Sequence, residues 1–494
     1  MLFTTATFAF LYLPAVLAGY YLLGRRSASG AAAWLFAASV FFYGWWMPEF
    51  TLLLLASIGA NFYCGQRIVA AGSGHKRSRQ WLTLGIIFNL GLLAYFKYAN
   101  FFIANLEVLL GTHWRLVEVV LPIGISFYSF TQIAFLVDAW HGKVNETRFV
   151  HYGLFVTYFP HLVAGPVLHH AQMMPQFAQP SVYLFNRVNF AAGLAIFCIG
   201  LFKKVVLADG IAPYADAIFN PADAGAVPGI QEAWIGALSY TLQLYFDFSG
   251  YSDMAIGLSW MFNIQLPFNF DSPYKSTSIS DFWRRWHISL STFLRDYLYV
   301  PLGGNRKGAV RRYLNLAATM VLGGLWHGAS WSFVLWGALH GVYLMVNHAF
   351  RALAARRGWQ AWMDASLRFS VLSWVLTMLA VVVAWVFFRA ITLEGAVRML
   401  QGMAGSAPAG VDTQLLLWNA GLQAHVAWGW CATLGAAAAL LPNSNRIGEF
   451  IRARLPGMAV WQVPAGAVAL LLAALLVVLN SSRDGVSAFI YFNF

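Results

Sequence analysis

Residues 313–350 read YLNLAATMVLGGLWHGASWSFVLWGALHGVYLMVNHAF. Two apolar runs, at about 313–327 and 329–350, follow each other with one break near Gly328. Each is long enough, or nearly so, to cross a hydrocarbon layer about 30 Å thick. At the break, GGLWHGASW sets His327 among tryptophans and glycines. A titratable imidazole at that depth is expensive, so it points to a function.

The rest of the chain has the same character. Its 494 residues are 60% hydrophobic, 17% aromatic and 10% charged, whereas a soluble domain carries about a quarter charged residues. Length alone suggests about three soluble domains. The hydropathy instead predicts one polytopic membrane domain over 1–494, with N-terminal helices in 1–120, a core in 121–350 and C-terminal helices in 351–494. Other apolar segments lie at about 5–24, 31–47, 50–70, 81–98, 121–140, 150–168, 186–208, 232–262, 369–390, 424–441 and 460–480. Several hold Gly, Pro or polar residues and read as broken or re-entrant. The expected fold is thus all-α, with about 11–13 transmembrane or re-entrant helices. Residues 99–112 are too short to span and are assigned to the interface. The N-terminus lacks a basic n-region and a cleavage site, and reads as a first membrane helix stopped by Arg25 and Arg26.

The formal net charge is +12. Its carriers cluster in short loops: Lys76/Arg77/Arg79, Lys143/Arg148, Arg306/Lys307/Arg311/Arg312, Arg351/Arg356/Arg357 and Arg446/Arg452/Arg454. In a chain this apolar, that pattern reflects topology and anionic headgroups rather than nucleic acid. The clusters face the cytoplasm, and residues 404–423, almost free of Lys and Arg, face away. Cys64, Cys198 and Cys431 are far apart and read as buried hydrophobes, without disulfide or zinc spacing. The absence of a visible internal repeat weakens a transporter reading.

Ionisable residues concentrate between Ser239 and Arg312, where Asp247, Asp253, Asp271, Asp281, Asp296, Arg284, Arg285, Arg295 and His287 occur. The stretch DFWRRWHISL, 281–290, predicts a helix with Ser280 as N-cap and Asp281 in its first turn. Trp283, Trp286, His287 and Leu290 then share one face, and Asp281 can reach Arg284 or Arg285. An interfacial helix with a tryptophan belt fits this spacing too, but leaves His287 unexplained. Asp247 and Asp253 need partners or water at their depth, which keeps an ion-pathway reading open. The dry, aromatic surroundings predicted for His327 favour a neutral imidazole able to accept a proton. That suits a general base, while a core histidine bonded to a carbonyl is the plainer alternative. His340 and His348 read as structural. His161, His169 and His170 lie in a segment that looks like a broken helix. No acidic or Cys partner stands at ligand spacing from them, so no metal site is predicted.

Several stretches agree on a further point. LYFDFSGYSDMAIGLSWMFNIQLPFNFDSPYKSTSISDFWRRWHISLSTFLRDYLYVPLGG (244–304) and GGLWHGASWSFVLWGALHG (323–341) resemble the membrane-bound O-acyltransferase superfamily, in its branch that acetylates alginate and other exopolysaccharides. FFYGWWMPEF (41–50), YFPHLVAGPVL (158–168) and SSRDGVSAFIYFNF (481–494) resemble it too, so the match runs nearly end to end.

The resemblance implies helices around a central tunnel, and catalysis at the positions of His327 and His287. Trp326, Trp283, Asn269, Tyr274, Arg295 and Tyr251 would then contact substrate. It implies a multi-pass protein of a bacterial inner membrane that takes acetyl from cytoplasmic acetyl-CoA, with no bound cofactor or metal. The acetyl group would cross to a periplasmic acetyltransferase or acceptor protein and end on a secreted polysaccharide such as alginate. The basic loop 306–312 would attract the CoA phosphates. Relatives carry an arginine near the positions of His169 and His170, so no role passes to those two. Two other functions remain open: D-alanyl transfer to teichoic acid, and transport of polysaccharide precursors.

Overall fold

The computed structural model describes residues 1–112, 114, 118–144, 146–163, 165–406, 415–457, 463–482 and 489–490. Most of them are helical, and no strand occurs among them. Most of the C-terminal stretch SSRDGVSAFIYFNF lies outside the described residues.

In chain order the main helices are α1 (Thr7–Gly24), α2 (Ala28–Trp46), α3 (Pro48–Ala71), α4 (Lys76–Leu110), α5 (Ile125–Trp140), α6 (Phe149–Thr157), α7 (His170–Phe177), α8 (Arg187–Asp223) and α9 (Ile230–Met261). There follow α10 (Ile279–Arg285), α11 (Ile288–Leu294), α12 (Gly308–His327), α13 (Trp331–Arg357), α14 (Leu367–Arg389), α15 (Leu393–Met403), α16 (Ala424–Leu440), α17 (Ser444–Arg454) and α18 (Val463–Ser481). Among the described residues seven helices are long and apolar enough to cross a membrane: α1–α4, α8, α13 and α14. The bent pair α16 and α17, with its short extension to Gly457, brings the number to eight if it forms one span.

The predicted segments reappear with adjusted ends. The segment read as interfacial at 99–112 is not separate. It continues α4 through a π-turn at Ala94–Tyr98, so the helix runs to Leu110. The segment at 150–168 is broken, as expected, into α6, a short piece at Phe159–Leu162 and non-helical chain.

Chain contacts divide the molecule into two compact units. The first comprises Met1–Phe202, Tyr251–Phe268 and Ser444–Asn493. In it, side-chain amides and hydroxyls link α3–α6. Asn89 Nδ2 donates to Asn61 Oδ1 at 2.6 Å, Gln132 Nε2 to Ser57 Oγ at 2.9 Å, and Tyr152 Oη to Gln132 Oε1 at 3.2 Å. Where no water competes, such bonds hold helices together. Asp138 Oδ2 meets His170 Nδ1 at 2.9 Å, an acidic partner the sequence spacing did not reveal. No group of metal-binding side chains forms among the described residues.

The second unit comprises Lys203–Gly250 and Asn269–Asn443. The α12–α13 hairpin is its densest part. A Cβ on Gly324 would overlap the carbonyl oxygen of Phe333, and one on Gly337 that of Met320. Only hydrogen at both positions lets the backbones approach this closely. That contact fixes the end of α12, where His327 stands. Elsewhere in the unit, Lys204 lies between Asp247 and Asp209 at 2.6 and 2.8 Å. Asp247 therefore has the counter-ion its depth requires.

Candidate active site

The segment carrying His287 departs from the expected continuous helix. Ser278, not Ser280, caps α10, its side chain accepting from the Asp281 amide at 3.2 Å. Ser280 donates instead to Asn347 at 2.8 Å. The helix stops at Trp286 and resumes at Ile288, and His287 between them is left-handed, with φ 44° and ψ 54°. A non-glycine residue there is strained by about 1–3 kcal/mol and persists only where its surroundings demand it. Here they do. The Ile288 amide donates to the Asn269 carbonyl at 3.0 Å, and the Asp271 amide to the Arg285 carbonyl at 2.9 Å. The 269–271 segment thus pins the chain on both sides of the kink. Trp283 and Trp286 are buried, which overturns the tryptophan-belt alternative. Asp281 holds Arg285 at 3.0 Å, as the spacing suggested.

Asn269 is fully buried and organises the histidine. Its Oδ1 accepts from the Ser289 amide at 3.2 Å and from Ser289 Oγ at 2.9 Å, and it faces His287 Nδ1 at 3.2 Å. The backbone donor fixes which end of the amide is oxygen, so Nδ1 of His287 carries the proton. Nε2 is therefore the acceptor nitrogen. His287 lies outside the membrane-spanning helices, and burial pushes its pKa down to about 3. It is a neutral imidazole whose Nε2 is free of a proton, and so a hydrogen-bond acceptor, at physiological pH.

His327 is the last residue of α12, before the extended Gly328. Its neighbours are Trp326, Trp336 and Phe388, with ring centroids at 5.0, 5.0 and 5.1 Å. Trp326 also meets His287, at 6.1 Å. One indole thus joins two histidines that are 40 positions apart in sequence. Phe248 closes on the other side of His287, edge to face at 4.8 Å.

The remaining predicted residues separate into two groups. Trp283 belongs to the same cluster, its ring 5.8 Å from that of Trp336, and its Nε1 donates to His340 Nδ1 at 3.3 Å. His340, read as structural, is fully buried and packs on Trp336 at 4.9 Å. Neither it nor Phe388 could be tied to His327 by local spacing, since the link runs through α14 and the α12–α13 hairpin. Tyr274 is buried, but its hydroxyl donates to the Thr241 carbonyl at 2.6 Å and its ring stacks on Trp286. Arg295 points to the surface and forms a two-pronged pair with Asp296 at 2.7 and 3.1 Å. Tyr251 belongs to the first unit, stacked between Phe3 and Phe489. Of the basic loop expected at 306–312, Arg311 and Arg312 stand instead at the start of α12, where Arg312 rests on its neighbour Tyr313 at 4.7 Å.

This arrangement puts two buried imidazoles in surroundings of aromatic rings, which suits proton transfer away from water. Two imidazoles flank one indole, and at least one is held with its lone pair on Nε2.

Comparison with known proteins covers both histidines. The model of the MBOAT, membrane-bound O-acyltransferase family, matches residues 144–388. The chain is 43% identical over 432 residues to a "Peptidoglycan O-acetyltransferase" of Helicobacter pylori, covering 82% of this chain and 80% of that one. It is 45% identical over 408 residues to "Probable alginate O-acetylase AlgI" of Azotobacter vinelandii, covering 82% and 78%. A "Teichoic acid D-alanyltransferase" of Streptococcus thermophilus is 27% identical over 247 residues, covering 46% and 57%.

Proposed function

Because the chain belongs to the membrane-bound O-acyltransferase family and is a membrane O-acetyltransferase, we propose that it draws its acetyl group from acetyl-CoA at the cytoplasmic face and delivers it across the membrane toward a glycan hydroxyl. The observation that carries this reading is the shared indole: Trp326 contacts both His327 and His287. His327 acts as general base. It takes the proton of the acceptor hydroxyl as that oxygen attacks the thioester carbonyl carbon. The C–O bond forms, the C–S bond breaks, and the proton returns from the imidazolium to the departing CoA thiolate. His287, with Nε2 as acceptor, orients the acceptor molecule by taking a hydrogen bond from a second, neighbouring hydroxyl, and Asn269 keeps it in that tautomer. Trp326 and Trp283 wall the acyl group and exclude water. The basic loop at 306–312 attracts the CoA phosphates.

Relatives at similar identity are named for alginate and for peptidoglycan, and both names denote O-acetylation of a glycan. A glycan hydroxyl outside the cytoplasm is therefore the final acceptor we favour, reached through a separate extracytoplasmic acetyltransferase or acceptor protein. The D-alanyl alternative rests on weaker similarity over less than half of the chain. For the transporter alternative, Lys204 gives Asp247 a counter-ion, so the burial of that carboxylate does not by itself call for an ion path.

The test is thioester cleavage of labelled acetyl-CoA by protein in nanodiscs, with a glycan acceptor added. His327→Ala, checked for folding by thermal shift, should lose about a hundredfold or more in turnover. Full turnover in a folded His327→Ala variant refutes the assignment and moves the base to His287. Turnover with a D-alanyl thioester in place of acetyl-CoA favours the teichoic-acid alternative.

A further inference from the structure

A cavity of about 740 Å³ opens between the start of α9, the end of α15 and the start of α16. It lies wholly in the second unit and shares no residue with the histidine cluster. Gln231, Glu232, Trp418, Gln423 and His425 are among its lining side chains. Two of them are opposites. Trp418 is 73% exposed, an indole face left in solvent. Glu232 is 6% exposed, yet only half of its carboxylate is satisfied. Oε1 accepts from the Leu417 amide at 2.9 Å, while Oε2 meets no donor among the described residues. A carboxylate oxygen buried without a donor is unfavourable, so this wall is suited to a donor that arrives from outside.

The combination matches one class of ligand. A sugar lays its C–H face on an exposed indole and presents hydroxyl donors to a carboxylate. Gln231 and Gln423 supply amides that both donate and accept. Among the described residues no Lys or Arg lines the cavity. An anionic polymer would therefore bring carboxylates against Glu232 with no Lys or Arg to offset them. Position agrees as well. Arg351, Arg356 and Arg357 precede α14, Arg446 follows α16, and residues 399–445 contain no Lys or Arg. By the positive-inside rule the cavity faces away from the cytoplasm.

We infer that this cavity is a docking site for an uncharged, hydroxyl-rich glycan segment on the outer side of the membrane. The inference rests on the reading of the final acceptor as an extracytoplasmic glycan, and it adds the kind of glycan and the place where it is held. Isothermal titration of the full chain in nanodiscs with cellohexaose, N-acetylglucosamine hexamer and mannuronate hexamer tests it. An uncharged hexamer should bind about tenfold or more tightly than the mannuronate hexamer. Trp418→Ala should weaken that binding about tenfold, and Glu232→Gln should weaken it too. Trp418 is exposed, so its truncation spares the packing, and thermal shift checks both variants. Binding should survive His327→Ala. Binding without acetyl turnover by the wild type supports the site and refutes the enzymatic reading. Turnover without binding of any hexamer overturns the site and leaves the cavity to a partner protein. Equal binding of both charge classes, or binding unchanged in Trp418→Ala, also overturns it.

Discussion

Asn269→Asp separates a positioning role from a merely structural one. Asp keeps an oxygen where three bonds converge, from the Ser289 amide, Ser289 Oγ and His287 Nδ1 at 3.2, 2.9 and 3.2 Å. What it replaces is Nδ2, which donates to nothing among the described residues. Folding should therefore survive. The electrostatics should not stay the same. In the wild type, burial holds His287 at about 3, so Nε2 is available from mildly acidic to alkaline pH. A carboxylate against Nδ1 favours the imidazolium and raises such a pKa by about 1–3 units, to about 4–6. The sign follows directly: as pH falls through the new value, Nε2 is protonated and can no longer accept. Acetyl-CoA cleavage followed from pH 4.5 to 8 should be free of a His287 limb in the wild type. The variant should show an acid limb near 4–6, losing about twofold at pH 5 relative to pH 8 for a new value of about 5 and about tenfold for a new value of about 6. A folded Asn269→Asp protein with a wild-type profile would show that His287 does not work through Nε2.

Other outcomes follow from the same geometry. Trp326→Phe should keep the thermal midpoint within a few degrees and lower turnover, since a smaller ring no longer fills the space between His287 and His327; an unchanged turnover number refutes that role. Gly324→Ala should cost about 1–3 kcal/mol, read as a lower thermal midpoint, because its methyl group meets the Phe333 carbonyl. Lys204→Met should cost about 3–5 kcal/mol by removing the cation shared by two buried carboxylates. Adding Asp247→Leu should recover part of that loss, and a double variant less stable than the single one contradicts the pairing.

What could be read from the chain follows from the range of the interactions involved. Apolar length and basic loops are local, so the membrane class and most helices were visible in the sequence. That Gly324 and Gly337 let two helix backbones touch is visible only in the fold, where each meets a carbonyl of the opposite helix. The kink at His287 was not visible, because 281–290 has good helical spacing and the break is imposed by 269–271, a dozen residues earlier. For the same reason Ser280 looked like the cap that Ser278 provides. Asp138 reaches His170 across 32 positions, and Trp283 reaches His340 across 57. The two histidine-bearing blocks stood out by resemblance, but only the fold shows that one indole touches both. Arg295 and Tyr274 illustrate the opposite limit: their residue types suit substrate contact, yet one is turned to the surface and the other's hydroxyl is bonded to the main chain.

The helix α9 has 32 residues, about 48 Å at 1.5 Å per residue. That is well beyond a hydrocarbon thickness of about 30 Å, even at a typical tilt of about 20°. Yet α9 is not among the helices apolar enough to cross a membrane, so its length serves the protein interior rather than the lipid. Asp247 lies near its middle with Lys204 beside it, while Glu232 lies about 20 Å away along the axis, near its start. One long helix thus carries a buried ion pair at its centre and a cavity-lining carboxylate at its end.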